Sequence, residues 1–238
     1  MNSKKLKNSG LVQHAEWFYL STGASSGSDN MALDNYLLQA LTEQKINKPL
    51  FRTYGWSEKT ISIGKSQSNQ LHFYKNYFQD CPVVPRITGG QAVIHDTNEI
   101  TYSVFLYNNI GFKNIYYEIG KGLLNFLNQY GLVGEYGYSD GSYKTKFNCF
   151  ESKSQSDIVV NYKKVIGSAQ CRNKNFIMQH GSIKLDLISE LCNKYISYEE
   201  AERDIKLAFE QVFGVEFIDF DLSSIVCEKI DLETAVLC

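Results

Sequence analysis

The order of the hydrophobic segments along this chain of 238 residues constrains its fold more than any other feature. Apolar and polar residues alternate in short stretches typical of β-strands, most clearly over residues 99–107. Helical spacing replaces alternation over residues 29–43, 114–130 and 197–213, and the last of these opens with a capping-box pattern at Ser197. The strands are grouped around separated helices without regular strand–helix alternation, which predicts an α+β fold.

The other hydrophobic segments predict further strands and one short helix. We expect the helix at residues 69–78 and a Ser- and Gly-rich loop at residues 21–28. No repeat or linker divides the chain, so we predict a single domain over residues 1–238, with a loose lead-in at residues 1–16. Short strands are expected at residues 17–20, 50–54, 60–63, 83–86, 92–95, 158–161, 165–168, 176–180, 182–185 and 215–220.

Charge and cysteine content exclude several classes of protein. The formal net charge is −2, and the chain has no Lys/Arg stripe of the kind that nucleic-acid binding needs, so we predict no nucleic-acid partner. No apolar run reaches the roughly 18 residues of a membrane span, and the N-terminus lacks the apolar core of a signal peptide. Six cysteines without CxxC pairs predict neither disulfides nor a metal site and favour the cytoplasm: Cys81, Cys149, Cys171, Cys192, Cys227 and Cys238.

A pair of glycines marks the first candidate site. The sequence Arg86-Ile-Thr-Gly-Gly-Gln-Ala-Val-Ile-His-Asp96 places Gly89 and Gly90 before a predicted strand, where glycine lets the backbone pass close to a ligand. On local evidence alone a hairpin turn without a ligand is favoured, but the Arg86 guanidinium suits a carboxylate, phosphate or carbonyl. His95 and Asp96 point to opposite faces of a strand, so we expect no catalytic dyad and a structural His95 bonded to the backbone.

A lone cysteine followed by a lysine marks the second candidate site. Cys149 ends a polar loop, and Lys163-Lys-Val-Ile-Gly-Ser-Ala169 follows after a predicted strand. Adjacent strand residues face opposite ways, so we expect Lys163 in solvent and Lys164 turned toward the ligand of the Gly89–Gly90 turn. A cysteine that holds an acyl group and a lysine that manages its protons suit acyl transfer. Spacing alone favours the alternative, an inert packing cysteine.

Six sequence blocks in one order resemble the biotin/lipoate protein ligase superfamily. The similarity covers about residues 17–187 and looks strongest to the cysteine-bearing octanoyltransferases of the LipM type, which act as octanoyl-acyl carrier protein:protein N-octanoyltransferases. Two positions depart from the family pattern: Pro85 stands where an arginine is usual, and Tyr162 where a glycine is usual. The blocks are Asn30-Met-Ala-Leu-Asp34, residues 86–96, Glu99-Ile-Thr-Tyr-Ser103, Cys149-Phe150, Lys164-Val-Ile-Gly-Ser-Ala-Gln170 and Gln179-His-Gly-Ser-Ile183.

The resemblance implies a fold, a reaction and a set of site residues. The fold would be the ligase catalytic domain, a mixed β-sheet with helices packed against it. The reaction would move an octanoyl group from acyl carrier protein to a lysine on a lipoyl domain of the glycine-cleavage H protein or a 2-oxoacid dehydrogenase E2 subunit. No ATP, other cofactor or metal would take part.

The resemblance also assigns roles to individual residues. Cys149 matches the acyl-accepting cysteine and Lys164 the site lysine. A second glycine turn is implied at Gly167–Ala169. The residues that match the acyl tunnel or its border are Arg86, Thr88, Gly89, Gly90, His95, Gly167, Ser168, Ala169, His180 and Gly181.

Three other functions remain open from the sequence. An ATP-dependent lipoate–protein ligase shares the fold but activates a free acid as an adenylate, so it needs no cysteine nucleophile. An amidotransferase that moves octanoyl groups between lipoyl domains would also use a cysteine. A non-catalytic acyl-binding module would keep the pocket without turnover.

Overall fold

The computed structural model describes residues 15–108, 111–137, 154 and 156–225. The strands of this part, in chain order, are β1 (Glu16–Ser25), β2 (Leu50–Trp56), β3 (Thr60–Ile63), β4 (Val83–Pro85), β5 (Val93–His95), β6 (Glu99–Tyr107), β7 (Glu135–Tyr136), β8 (Ile158–Val160), β9 (Lys163–Asn173), β10 (Phe176–Lys184) and β11 (Glu216–Asp219). Eight of them form one mixed β-sheet in the order β11–β1–β2–β6–β10–β9–β8–β7. β1 runs parallel to β2 and β11, whereas the other neighbours are antiparallel. The predicted mixed sheet is confirmed.

A second, smaller sheet has the order β4–β3–β5. β3 pairs in parallel with β4 and antiparallel with β5, so β4 and β5 lie on opposite sides of it. The chain that joins β4 to β5 must therefore cross the end of β3, and this crossing segment contains Gly89 and Gly90. The hairpin considered for this segment is wrong, because its two flanking strands do not pair with each other.

Five helices accompany the sheets in the described part of the chain. Ser26 caps α1 and Ser197 caps α5, where its side chain accepts a hydrogen bond from the Glu200 N–H as the capping-box pattern predicts. The three helices predicted at residues 29–43, 114–130 and 197–213 are confirmed. None of the described helices has the length and apolar character needed to cross a membrane. The helices are α1 (Gly27–Thr42), α2 (Leu71–Tyr77), α3 (Phe112–Gln129), α4 (Leu185–Cys192) and α5 (Tyr198–Phe213).

The larger sheet is covered on both faces. Phe51 and Val104 belong to one core cluster, which includes the buried residues of α3 and α5. Their chain neighbours Leu50 and Phe105 belong to a second cluster, which includes Leu37, Leu38 and Leu41 of α1. Successive strand residues point to opposite faces, so α1 packs on one face of the sheet and the α3–α5 pair on the other.

Several segments differ from the sequence predictions. β1 continues to Ser25 through the predicted loop, and its pairing with β2 shifts register between Ser21 and Ala24, around Gly23 at φ +60°. A β-bulge of this kind lets a strand continue through a Ser- and Gly-rich stretch. The helix at residues 69–78 is a 3-10 turn (Lys65–Gln70) followed by α2, and α4 was not predicted. The single-domain assignment stays a prediction.

Candidate active site

The Gly89–Gly90 segment lies directly on the end of β3. An ideal Cβ built on Gly64 would stand 2.0 Å from the carbonyl oxygen of Gly90, so only glycine at position 64 permits this approach. The Lys65 N–H donates to the Thr88 carbonyl at 2.8 Å, and Gly90 has a φ of +101° that favours glycine. The crossing loop is therefore held against β3 by backbone contacts.

Arg86 shapes this loop from inside. Its guanidinium donates to the carbonyl and the hydroxyl of Ser62 at 2.8 and 3.1 Å, and to the carbonyls of Gly89 and Gln91 at 2.9 and 2.7 Å. Arg86 was predicted to bind a carboxylate, phosphate or carbonyl group, and two of the carbonyl groups it binds belong to the loop itself. A buried guanidinium with this set of acceptors fixes the curvature of the loop, and a direct contact of Arg86 with substrate stays a prediction.

His95 is buried beneath the loop. Its Nδ1 donates to Glu99 Oε1 at 2.5 Å, its Nε2 pairs with the Ser62 hydroxyl at 2.8 Å, and its ring stacks on Trp56 with 3.8 Å between centroids. Burial lowers the pKa of His95, although the nearby Glu99 carboxylate acts in the opposite direction. A structural His95 was expected, but its partners here are side chains rather than the backbone.

Glu99 is the acceptor at the centre of this first network. Its carboxylate accepts from Ser182 Oγ at 2.7 Å and forms an ion pair with Lys184. Burial acts to raise the pKa of Glu99, but the charges and hydrogen bonds of His95 and Lys184 outweigh burial and lower the pKa to about 2. The network thus links Arg86 through Ser62, His95 and Glu99 to Lys184.

Asp34 on α1 is the centre of a second buried network. Its Oδ1 accepts from Arg52 at 2.6 Å, and its Oδ2 accepts from Ser103 at 2.8 Å and Tyr54 at 3.1 Å. Burial acts to raise the pKa of Asp34, but the Arg52 charge and the His180 contact lower it below the ordinary value. Asp34 and Arg52 are each only 1% exposed, so the pair is sealed from solvent.

His180 connects the second network to the loop. Its Nδ1 lies 3.3 Å from Asp34 Oδ2, and its Nε2 lies 2.7 Å from Thr88 Oγ1. An ionised carboxylate only accepts, which assigns the proton to Nδ1 and makes Nε2 the acceptor of the Thr88 hydroxyl. His180 also stands opposite Ala169 in the β10–β9 register, so it brings the two glycine-containing blocks together.

The second glycine block is not a turn. Gly167, Ser168 and Ala169 lie inside β9, and the turn implied there is wrong because all three residues pair with β10. A Cβ built on Gly181 would stand 2.5 Å from the Gly167 carbonyl oxygen and 2.7 Å from Tyr102 Cε1. The glycines thus serve close packing between strands, which lets the Tyr102 hydroxyl reach Ser168 Oγ at 2.8 Å.

The two adjacent lysines of β9 face opposite ways, as predicted. Lys163 is exposed and pairs with Glu190 at 2.9 Å. Lys164 is buried and pairs with Asp157, with 3.0 Å between Nζ and Oδ2. Cys149, the predicted nucleophile, lies outside the described residues.

The structure separates Lys164 from the Gly89–Gly90 loop along β9. The loop reaches β9 through Thr88 and His180 opposite Ala169, and the five residues of extended strand from position 164 to 169 cover about 16 Å. The sequence prediction that Lys164 turns toward the loop's own ligand therefore requires a ligand long enough to span this part of β9.

Several site residues were missed by sequence reasoning. Arg52 and Glu99 sit in otherwise apolar strands, and a charged residue in such a strand is a signal of a buried network. The described part of the chain contains no group of three or more His, Cys, Asp or Glu side chains arranged to hold a metal ion. The missed residues are Asp34, Arg52, Ser62, Gly64, Glu99, Asp157, Ser182 and Lys184.

Comparison with known proteins agrees with this fold. The model of the lipoyl protein ligase A/B catalytic domain family matches residues 26–210, so the chain belongs to that family. It is 30% identical to octanoyltransferase LipM of Bacillus subtilis (strain 168), over 89% of this chain and 91% of that protein. It is 37% identical to octanoyltransferase LipM of Brevibacillus brevis, over 74% of this chain and 68% of that protein.

A solved structure shows the same fold at lower sequence identity. P. falciparum LipL1, in complex with lipoate, superposes with a TM-score of 0.69 at 20% identity. The superposition covers 92% of this chain and 70% of that one. The predicted ligase catalytic-domain fold is thereby confirmed.

Proposed function

We propose that this protein is an octanoyltransferase of protein lipoylation that moves the octanoyl group from acyl carrier protein, through a thioester on Cys149, to a lysine of a lipoyl domain. The acceptor is the lipoyl domain of the glycine-cleavage H protein or of a 2-oxoacid dehydrogenase E2 subunit. The likeness to octanoyltransferases over most of the chain supports the reaction class. The observation that carries the site assignment is the buried Lys164 ion pair on β9, which comes after Cys149 and β8 in the sequence.

In the first step the Cys149 thiolate attacks the carbonyl carbon of the octanoyl thioester. A new carbon–sulfur bond forms, the bond to the carrier's sulfur breaks, and the carrier leaves as a thiolate that takes up a proton. One thioester replaces another, so the exchange is close to thermoneutral and needs no ATP. The ammonium of Lys164 favours the anionic form of a neighbouring cysteine.

The backbone of Ser168 supplies a donor for the oxyanion of this step. The Ser168 carbonyl accepts from Ser156 Oγ at 3.4 Å, so it points away from β10. The N–H and C=O of one strand residue point to the same edge, which places the Ser168 N–H on that side of β9 as well. A well-placed donor of this kind contributes about 3–4 kcal/mol to an acyl-transfer transition state.

In the second step the lysine of the lipoyl domain attacks the Cys149 thioester. The amide bond forms, the Cys149 sulfur leaves as a thiolate, and the proton lost by the attacking amine passes to that thiolate. Burial of the alkyl chain at about 0.8 kcal/mol per CH₂ would select chain length. A thiolate nucleophile needs a reducing compartment, and the cytoplasm is therefore the predicted location of the protein.

Intact mass spectrometry tests this function. After incubation with octanoyl-acyl carrier protein we expect one octanoyl adduct that neutral hydroxylamine removes, and no such thioester in Cys149→Ser. Cys171→Ser is the matched control, since Cys171 is a half-buried cysteine that should leave loading intact. Addition of a lipoyl domain should discharge the adduct.

The rival functions give different results in the same assay. Octanoate-dependent pyrophosphate exchange would identify an ATP-dependent ligase instead. Loading from octanoylated H protein but not from acyl carrier protein would identify an amidotransferase. The absence of an adduct with every donor would leave only an acyl-binding module and would contradict the proposal.

A further inference from the structure

Asp157 contacts more than the lysine of the proposed site. Its Oδ2 lies 3.0 Å from Lys164 Nζ and accepts a hydrogen bond from the Ser154 N–H at 2.7 Å. Its own N–H donates to the Ser154 carbonyl at 3.1 Å, and its carbonyl accepts from the Gly137 N–H at 2.8 Å. One residue is therefore bonded to Lys164 and to both Gly137 and Ser154.

The two backbone partners flank the part of the sequence that contains Cys149. The chain reaches residue 138 from Gly137 and comes back to the described part at Ser154. These two points lie so close together that a Cβ built on Gly137 would stand 2.5 Å from the Ser154 carbonyl oxygen. Asp157 thus joins the lysine to the two points between which the nucleophile lies in the sequence.

The burial of this ion pair distinguishes it from its neighbour on the same strand. The side chains of Lys164 and Asp157 are 2% and 4% exposed, whereas those of Lys163 and Glu190 are 50% and 66% exposed. An exposed pair contributes little and either partner can leave it freely. Removing the carboxylate from a buried ion pair leaves a buried charge uncompensated, so the loss of Asp157 should affect Lys164 more than the loss of Glu190 affects Lys163.

We propose that Asp157 is the positioning residue of the acyl-transfer site: its carboxylate holds the Lys164 ammonium in place and bonds it to Ser154, while its backbone carbonyl bonds Gly137. This role rests on the function proposed above. Asp157 does not touch the reacting atoms and acts only through Lys164 and through Gly137 and Ser154.

A double-mutant cycle on acyl loading tests the proposal. Rates of loading from octanoyl-acyl carrier protein are measured by rapid quench and intact mass for wild type, Asp157→Asn, Lys164→Met and the double variant. We expect each single variant to slow loading about 100-fold, because the cysteine thiolate loses the ammonium that favours it. The double variant should be no slower than Lys164→Met, because Asp157 acts through Lys164. The kcat should fall while the KM for the carrier stays near the wild-type value.

Two further variants separate positioning from general stability. Asp157→Glu keeps the charge but moves it by one methylene, so loading should be faster than in Asp157→Asn and slower than in wild type. Glu190→Gln breaks the exposed pair of Lys163 and should leave the rate unchanged. If circular dichroism shows that Asp157→Asn does not fold, the same cycle is run with Asp157→Glu.

Specific outcomes would overturn the role of Asp157. Losses that multiply in the double variant would mean that Asp157 acts independently of Lys164. A wild-type rate in folded Asp157→Asn would mean that its carboxylate has no role, and a wild-type rate in Asp157→Glu would mean that the carboxylate does not position Lys164. Loading of the wild-type protein is measured first. Failure of that measurement contradicts the proposed function, whereas failure of the cycle on a protein that loads contradicts only the inference about Asp157.

Discussion

Two buried carboxylates, Asp34 and Glu99, support the same loop in different ways. Asp34 pairs with Arg52, and both are 1% exposed, so that network is closed to solvent. Glu99 pairs with Lys184, which is 18% exposed and also lies 3.5 Å from the surface residue Asp96. Lys184 therefore has a second carboxylate nearby, Asp96, whereas the other hydrogen bonds of Arg52 go to the neutral groups of Thr22 and Asn30. Two carboxylates that are equally buried therefore need not contribute equally to the stability of the fold.

The two networks also hold different parts of the loop. The Asp34 network reaches the hydroxyl of Thr88 through His180, whereas the Glu99 network reaches the carbonyls of Gly89 and Gln91 through Arg86. Side-chain contacts thus fix the loop from two directions, and the absence of a side chain at Gly64 lets the loop lie against β3. Loss of either network should loosen the loop by a different amount.

The largest expected effect is that of Asp34→Asn. It leaves the Arg52 guanidinium buried without a carboxylate, so the free energy of unfolding should fall by about 4 kcal/mol. Glu99→Gln should cost about 2 kcal/mol, because Lys184 can turn to Asp96 at the surface. Urea unfolding measures both. Equal losses would remove the distinction between a closed and an open network.

The second prediction concerns acid. The pKa of Glu99 is lowered from 4.5 to about 2 in the folded protein, and that of Asp34 is lowered in the same direction. A lowered carboxyl pKa stabilises the fold at pH values above the unfolded pKa, and for Glu99 about 3 kcal/mol should be lost as pH falls from 4.5 to about 2.

His95 adds an earlier step to this acid response. Burial lowers its pKa below the ordinary 6.5, so the unfolded chain takes up the proton first and stability should begin to fall below pH 6.5. Urea midpoints between pH 8 and pH 3 should therefore show two stages, and His95→Gln should remove the upper one. A protein that becomes more stable from pH 7 to pH 5 would contradict this sign.

The third prediction tests the close contact between Gly64, directly after β3, and the Gly90 carbonyl of the loop. Gly64→Ala places a Cβ 2.0 Å from the Gly90 carbonyl, so the backbone must shift and the free energy of unfolding should fall by about 2 kcal/mol. Gly89→Ala is the matched control in the same loop, since nothing lies within 4 Å of its Cβ and its φ is not left-handed. Thermal and urea unfolding of the two variants should differ clearly. Similar values would mean that the loop moves freely over β3.

The smallest expected effect is a gain in stability. Asn161 and Tyr162 form the two-residue connection from β8 to β9, with φ values of +49° and +63° that favour glycine in a hairpin turn. Tyr162 is 80% exposed, so Tyr162→Gly removes strain at little loss of packing and should raise the free energy of unfolding by about 1 kcal/mol. Asn161→Gly should bring a smaller gain, because asparagine tolerates this conformation. A loss with Tyr162→Gly would show that the tyrosine ring itself stabilises the hairpin.

Much of the fold was predictable from local pattern. Alternation over residues 99–107 gave the bounds of β6, and the periodicity and caps of α5 placed that helix at its observed end. α4 escaped prediction because it follows β10 without a break and carries no N-terminal side-chain cap. Gly167 was taken for a turn because glycine favours turns in general, whereas here it makes room for a neighbouring strand.

The candidate site was predictable only in part. The opposite orientation of Lys163 and Lys164 follows from strand geometry. The family pattern has a glycine where this chain has Tyr162, and the left-handed backbone at Tyr162 is one that favours glycine. The partners of these residues were not predictable, since Asp34 meets His180 across 146 positions of sequence and Thr88 meets His180 across 92. The pattern of neighbouring residues in the sequence cannot predict contacts between residues so far apart in the chain.

The amino-acid sequence alone determined most of the elements, the face that each lysine presents and the family resemblance, because these depend on residues close together in the chain. Only the tertiary structure decided which carboxylate meets which cation, including the pairing of Asp157 with Lys164. The reason is physical: a buried charge takes its partner from whatever strand or helix the packing of the sheet brings beside it, and that packing depends on the whole chain.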